Sequence, residues 1–265
     1  MGRVAPMSSA RDVTHAFEPT DRVTDDLVLY QERTALPHPA EVLRRTVFSV
    51  RRIAVITSFQ SSGLVILHML REIGTMPPVL FLETGFHFDE TLAFIEQVAR
   101  LWDLPVVRLR GAHGSVIEQE RLYGPELYRR DPEHCCYINK VRPLQLALEQ
   151  YNGWISGVRR DQSIGRAETP IIERQTLPSG RAILKIHPLA HWTDVDVKTY
   201  IDRHRIPTHP LLERGYVSIG CWPCTRPVSP GEDQRAGRWD GFAKNECGIH
   251  TFGKANGTGE TAREQ

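Results

Sequence analysis

Along this chain, short β-branched runs alternate with longer stretches whose apolar residues recur at helical spacing. Residues 39–50 suit a helix, with Pro39 near its first turn. Arg52-Ile-Ala-Val-Ile-Thr57 reads as a buried parallel strand. A polar turn, Ser58-Phe-Gln-Ser-Ser-Gly63, leads into an apolar helix from Leu64 to about Ile73. The alternation then repeats. Pro78–Leu82 is a strand and Phe88–Trp102 a helix; Pro105–Leu109 is a strand and Ile138–Tyr151 a helix. Gly153–Gly157 and Ala182–Ile186 are further strands. Thr193-Asp-Val-Asp196 resembles a capping box, with Asp for the usual Glu, opening a helix to about His204.

This order predicts an α/β fold: a doubly wound, mostly parallel sheet with helices on both faces. Ligands of such sheets bind beyond the carboxyl ends of the strands. After Gly220 the periodicity fades, and residues 229–265 carry Gly, Pro, Arg and Lys without pattern. Three segments are expected: an N-terminal extension over 1–38, an α/β domain over 39–228, and a mobile tail over 229–265.

Composition narrows the function classes. Formal net charge is +1, from 33 basic and 32 acidic residues, so no global field recruits nucleic acid or an anionic membrane. No apolar run nears the roughly 20 residues of a membrane span. The segment Met1–Thr20 lacks the apolar stretch of a secretory signal. The five cysteines are an odd number, which argues against a secreted disulfide framework. A cytoplasmic location is expected.

Four features carry candidate chemistry on residue type alone. The turn at Ser58–Gly63 joins a strand to a helix, where backbone N–H groups and Ser hydroxyls can cradle an anion. Plain N-capping by Ser61 or Ser62 would look the same. Cys135-Cys136 and Cys221-Trp-Pro-Cys224 supply four thiols from two segments, matching a four-sulfur metal site. Zinc and iron–sulfur remain open on this ground. Cys247 stands apart in Lys244-Asn-Glu-Cys-Gly-Ile-His250, where Lys244 and His250 would favour a nucleophilic thiolate. Lys140, Arg159, Arg160, Arg235 and Arg238 lie near these elements and suit clamps for oxyanions.

Together these pieces resemble the assimilatory adenylyl-sulfate and phosphoadenylyl-sulfate reductases, from about residue 40 to His250. The resemblance rests on Leu82-Glu-Thr-Gly85, Cys135-Cys136 with Lys140-Val-Arg-Pro-Leu144, and Gly157-Val-Arg-Arg-Asp-Gln-Ser163. Ile219-Gly-Cys-Trp-Pro-Cys-Thr225, Arg235-Ala-Gly-Arg-Trp239 and Glu246-Cys-Gly-Ile-His250 complete it. It implies an adenine-nucleotide-binding fold and reduction of adenosine 5′-phosphosulfate to sulfite and AMP. Cys247 is then the nucleophile, forming an S-sulfocysteine that a thioredoxin or glutaredoxin-type thiol discharges. The four paired cysteines imply a [4Fe-4S] cluster and the branch using the substrate without a 3′-phosphate. Ser58, Gln60, Ser61, Thr84, Lys140, Arg159, Arg160, Arg235, Arg238 and His250 are the expected substrate-binding residues, and a homo-oligomer is the expected assembly.

Two departures accompany the resemblance. Leu-Glu-Thr-Gly stands where the family has Leu-Asp-Thr-Gly, and the first loop lacks a double glycine. A 3′-phosphorylated substrate with a retained cluster is the nearest rival. An ATP-splitting tRNA-thiolation enzyme would be expected to show Ser-Gly-Gly-Xaa-Asp-Ser, which is absent. A cluster-bearing nucleotide sensor would bind nucleotide without releasing sulfite.

Overall fold

The computed structural model describes residues 36–244 and 246–252. Most of the expected extension over 1–38, and the last part of the expected tail over 253–265, lie outside the described residues. Helix α1 (Pro39–Ser49) begins with Pro39 in its first turn and His38 accepting the Ala40 N–H. Strand β1 (Ile53–Ile56), buried at every position, leads to α2 (Ser61–Ile73), which stops at Gly74 in the left-handed conformation. Strand β2 (Val79–Leu82), α3 (Asp89–Trp102) and β3 (Val106–Leu109) follow.

Next come α4 (Val116–Tyr123), α5 (Leu127–Arg130) and α6 (Pro132–Cys136). A π-helical turn, Tyr137–Val141, joins α6 to α7 (Arg142–Leu148). Strands β4 (Gly153–Ser156), β5 (Ile172–Thr176) and β6 (Ala182–Ile186) precede α8 (Asp194–His204). The Thr193–Asp196 capping box forms as read: each side chain accepts the other residue's N–H.

The sheet order is β3-β2-β1-β4-β6-β5, parallel except for β5, which runs antiparallel to β6 at the edge. The doubly wound α/β expectation therefore holds. From β1 the chain builds outward through β2 and β3, then crosses to β4 on the other side. The C-terminal ends of β1 and β4 thus flank a switch point, where consecutive loops part and leave a crevice.

Two apolar layers close the faces. Leu43, Leu67, Val98 and Val197, from α1, α2, α3 and α8, pack with Val55, Phe81, Ile155 and Ile186 on one face. The other cluster is smaller: Ala54, Leu80, Trp154 and Ile183 meet Leu144 and Leu148 of α7. Ile249 and Phe252, from the C-terminal segment, pack against that smaller cluster.

Several elements differ from the sequence expectation. The helix expected from Leu64 starts at Ser61, so the last half of the polar turn is its first turn. The helix expected over 138–151 begins instead as α6 and passes through the π turn. Helices α4 and α5 were not anticipated. Nor was β5, whose Ile-Glu-Arg-Gln-Thr carries one apolar residue and so has no strand period to detect.

Leu67 is fully buried in the larger layer. Leu67→Ala should lower the unfolding free energy by about 2–5 kcal/mol, from lost apolar transfer plus the cavity left behind. Urea titration followed by circular dichroism measures it.

Candidate active site

A cavity of ≈ 250 Å³ opens beyond the switch point, floored by Thr57 and Ser58 after β1 and by Gly157 and Arg159 after β4. On the β1 side the backbone turns sharply. Phe59 takes a positive φ of 56°, and its N–H is held by Thr57 Oγ1 at 2.9 Å. Gln60 is the N-cap of α2 and makes no side-chain capping bond. The first-turn N–H groups, which no helix carbonyl can reach, therefore begin where the cavity begins. Neither Ser61 nor Ser62 is the cap.

Gln60 has a different task. Its amide N–H donates to the Ile219 carbonyl at 2.8 Å, and its amide oxygen accepts the Ile219 N–H at 2.8 Å. The loop after β1 is thereby joined to the segment that carries Cys221 and Cys224. Ser58 accepts the second Gln60 N–H at 2.7 Å. Gly63 sits close behind: a Cβ there would lie 2.0 Å from Thr57 Oγ1.

The cations divide by partner. Arg159, 3% exposed, donates to Ser62 Oγ at 2.5 Å and to Asp161 at 2.9 Å, and lies 3.6 Å from Asp194. Its charge is compensated by the protein at the cavity wall. Arg160 does not line the cavity; its Nε donates to the Thr169 carbonyl at 2.9 Å. Arg235 and Arg238 do line it. Arg235 lies 3.4 Å from Glu246, and burial pushes it down to about 10, against the nearby Glu246 charge that raises it. Arg238 packs 4.5 Å over the Trp239 ring and against Gly220, where any Cβ would meet its guanidinium at 2.2 Å.

Arg166 was not singled out by sequence reasoning. It lines the cavity and grips both oxygens of Glu246 at 2.7 Å. The residue immediately before Cys247 is thus anchored by guanidinium groups. No local pattern marks Arg166, because its partner lies 80 residues away.

Lys140, on the π turn, lines this cavity and also a second, smaller space bounded by Cys135, Cys136, Cys221 and Cys224. Burial disfavours its charge, but the thiols of Cys221, Cys136 and Cys247 outweigh that and hold it protonated well above the usual lysine range. Among the expected substrate contacts, Thr84 bounds the cysteine space instead, with Oγ1 3.3 Å from Cys221 Sγ. Asn139 donates to the Cys135 carbonyl at 3.0 Å and approaches its sulfur at 3.7 Å.

The four cysteines are the donor set that could hold a metal group. Burial, then repulsion from Cys136 and Cys221, pushes Cys135 up to about 12. Burial and Cys221 push Cys224 up to about 11. Such thiols stay protonated at neutral pH unless a metal charge favours their thiolates. Four sulfurs around one zinc would sit about 3.8 Å apart, from Zn–S bonds of about 2.3 Å. Among the described residues no three His, Cys, Asp or Glu side chains converge in that way. All four cysteines line the same small space.

Glu83, the departure from the family's Asp, uses its longer reach to bond Arg108 at 2.8 Å and Arg110 at 3.0 Å. Burial raises its carboxyl, and the two guanidinium hydrogen bonds more than reverse that, leaving it lowered.

Cys247 is half-buried and lines the cavity, as do Ile249 and His250. The expected flanking cations are otherwise engaged: Lys244 pairs with Glu133, and burial, then Arg166 and Lys185, holds His250 neutral. Lys140 and Arg235 are cations close enough to feel the Cys247 sulfur. The described part of the tail lies against the body, with Trp239 buried and Thr225 bridged to Arg238.

The family described as phosphoadenosine phosphosulfate reductase domain matches residues 52–227, and the chain belongs to it. It is similar to a protein of Streptomyces coelicolor named adenosine 5′-phosphosulfate reductase: 46% identical over 65% of this chain and 71% of the relative. A Chelativorans protein of the same name is 43% identical over 76% of this chain and 80% of its own length. A Gloeobacter violaceus protein named phosphoadenosine 5′-phosphosulfate reductase is 41% identical, covering 75% and 82%. Among solved structures, a phosphate complex of phosphoadenylyl-sulfate reductase from Candida auris superposes with a TM-score of 0.66 at 28% identity, covering 77% of this chain and 97% of that one.

With Thr57 Oγ1 where its Cβ would go, Gly63→Ala must displace the residue that holds Phe59 in its turn. Overpacking of this kind should cost about 1–3 kcal/mol of stability, read from the same urea titration.

Proposed function

We propose that the chain reduces adenosine 5′-phosphosulfate to sulfite and AMP with an external dithiol as reductant, in assimilatory sulfate reduction. The observation that carries this is one cavity lined at once by Cys247, the uncapped start of α2 and the cations Lys140, Arg235 and Arg238. The relatives named for this activity support it across most of their length.

In this reading the nucleotide's phosphate sits at the start of α2, where N–H groups and the helix dipole favour anions. Lys140 and Arg238 take the sulfate. Holding two anionic groups among fixed cations removes the repulsion that would keep a thiolate away. Cys247 Sγ attacks the sulfate sulfur, and the bond from sulfur to the bridging oxygen breaks. AMP leaves with that electron pair, and Cys247 keeps the sulfonate. A donor thiolate then attacks Cys247 Sγ. Sulfite leaves with the sulfur–sulfur electron pair, and the donor's second thiol frees Cys247 by closing a donor disulfide. Two thiols are oxidised as sulfur gains two electrons.

Cys135, Cys136, Cys221 and Cys224 would hold a [4Fe-4S] cluster. The four cysteines line one space, and burial disfavours their thiolates unless a metal charge compensates them, which supports a metal group here. Such a cluster supplies local charge beside Lys140, while the electrons come from the thiol donor. The Gloeobacter violaceus relative's name favours one alternative, a substrate with a 3′-phosphate. Comparing kcat/KM on the two nucleotides decides between them.

Two measurements test the reading. Mixed with adenosine 5′-phosphosulfate and no thiol, the enzyme should release one equivalent of AMP and stop. It should then gain about 80 Da on Cys247, the mass of the transferred sulfonate, since the first half-reaction needs no reductant. AMP that appears only with a thiol donor, with no trapped adduct, would mean direct attack by the donor. Cys247→Ser should abolish the adduct and keep the iron. Replacing any one of the four cluster cysteines by Ser should lose iron and labile sulfide and lower stability, because metal ligation contributes to folding. Stoichiometric zinc without labile sulfide in anaerobically purified protein would remove the cluster.

A further inference from the structure

One row of side chains crosses the smaller face of the sheet. Trp154 on β4, Lys185 on β6 and Glu173 on β5 are mutual register partners, so they stand side by side on three adjacent strands. In the next row Gln175 of β5 pairs with Ile183 of β6. A lysine 1% exposed in the middle of a sheet is costly unless every donor finds a partner. Lys185 Nζ lies 2.9 Å from Glu173 Oε1 and 5.1 Å from the centroid of the Trp154 ring. Burial raises the Glu173 carboxyl, but the His187 hydrogen bond and the Lys185 charge bring it down to about 2. The row is therefore ionised and paired.

Its remaining bonds go to the segment that carries Cys247. Lys185 Nζ donates to the His250 carbonyl at 3.0 Å. Gln175, whose oxygen accepts the Trp154 indole N–H at 2.9 Å, donates its own N–H to the Phe252 carbonyl at 2.5 Å. The rings of His250 and Phe252 lie nearly parallel to Trp154, at 12° and 5°, with centroids 6.1 and 6.5 Å away. Two neighbouring strands thus hold two carbonyls spaced two residues apart, just past Cys247. At the other end, Glu246 is held by Arg166. Cys247 is fixed between the two grips.

We propose that Lys185, with Gln175 and Trp154, forms a seat for the backbone of the C-terminal segment, and that Lys185 is a positioning residue for Cys247. It touches neither substrate nor reacting sulfur; it acts through the His250 carbonyl. The seat deepens the proposed function and rests on Cys247 being the nucleophile.

The test uses the full-length, iron-loaded enzyme with Lys185→Met, which keeps the stem, and Phe252→Ala, which touches only the segment. Free enzyme is treated with iodoacetamide, and peptide mass spectrometry reads modification of Cys247 and, as an internal control, of buried Cys136. Lys185→Met should raise Cys247 alkylation by at least about tenfold, as expected for losing one hydrogen bond to a charged group, and Phe252→Ala should raise it through lost packing of the ring on Trp154, with Cys136 unchanged in both. Adduct formation from saturating adenosine 5′-phosphosulfate should slow by a similar factor, while AMP affinity stays at the wild-type value. General loosening of the fold would expose both cysteines together. Wild-type alkylation and adduct rates in folded Lys185→Met overturn the assignment; if that variant does not fold, wild-type rates in Phe252→Ala overturn it. Should the wild-type enzyme form no adduct on Cys247, the nucleophile reading falls, while the alkylation ratio still reports on the seat.

Discussion

The Gln60 amide bonds both the N–H and the carbonyl of Ile219, joining positions 159 residues apart. Both bonds are 2.8 Å and part-buried, so breaking either leaves a polar group without water. The rest of the site depends on this joint. It sets the loop after β1 against the segment that turns through Gly220 into Cys221 and Cys224. Gly220 in turn admits Arg238, which no larger residue would allow. The Cys224 carbonyl then receives the Trp239 N–H at 3.1 Å. Loop, cysteine turn and tail are thus linked in one chain of contacts before any ligand arrives.

Charge in the cavity is balanced by the protein, unevenly. Arg159 is matched by Asp161 and Asp194, which makes it a wall and not a free clamp. Arg166 and Arg235 meet the Glu246 carboxylate. Lys140 faces thiols. Arg238 rests on the Trp239 ring and the Ser218 hydroxyl. Lys140, Arg235, Arg238 and Cys247 line the same cavity, so an anionic ligand there would meet fixed positive charge.

The sheet is also unequal in its two faces, and this has a consequence for the tail. The α1, α2, α3 and α8 face is closed by helices, whereas the α7 face receives Ile249 and Phe252. The segment bearing Cys247 thus completes an apolar layer as well as reaching the cavity. Burying those two side chains stabilises the segment by about 25 cal/mol for each Å² of apolar surface removed from water.

Much of the fold was legible in local pattern: β-branched runs gave the parallel strands, and Thr193 with Asp196 marked the start of α8. The cysteine spacing and the motifs around Lys140, Arg235 and Cys247 were sufficient to suggest the family. Strand β5 was illegible because an edge strand with one apolar residue is stabilised by pairing, not by its own period. The sequence could not say that Gln60 would bond Ile219, that Thr84 would face Cys221, that Arg160 would turn to Thr169, or that Arg166 would hold Glu246. Each of those choices depends on which group lies within about 3 Å once distant segments meet, and hydrogen bonds fall off within that range. Periodicity and residue type are properties of a short window, so the sequence alone determined the elements and the chemistry available. Tertiary structure decided the partners, because a side chain bonds what folding brings beside it.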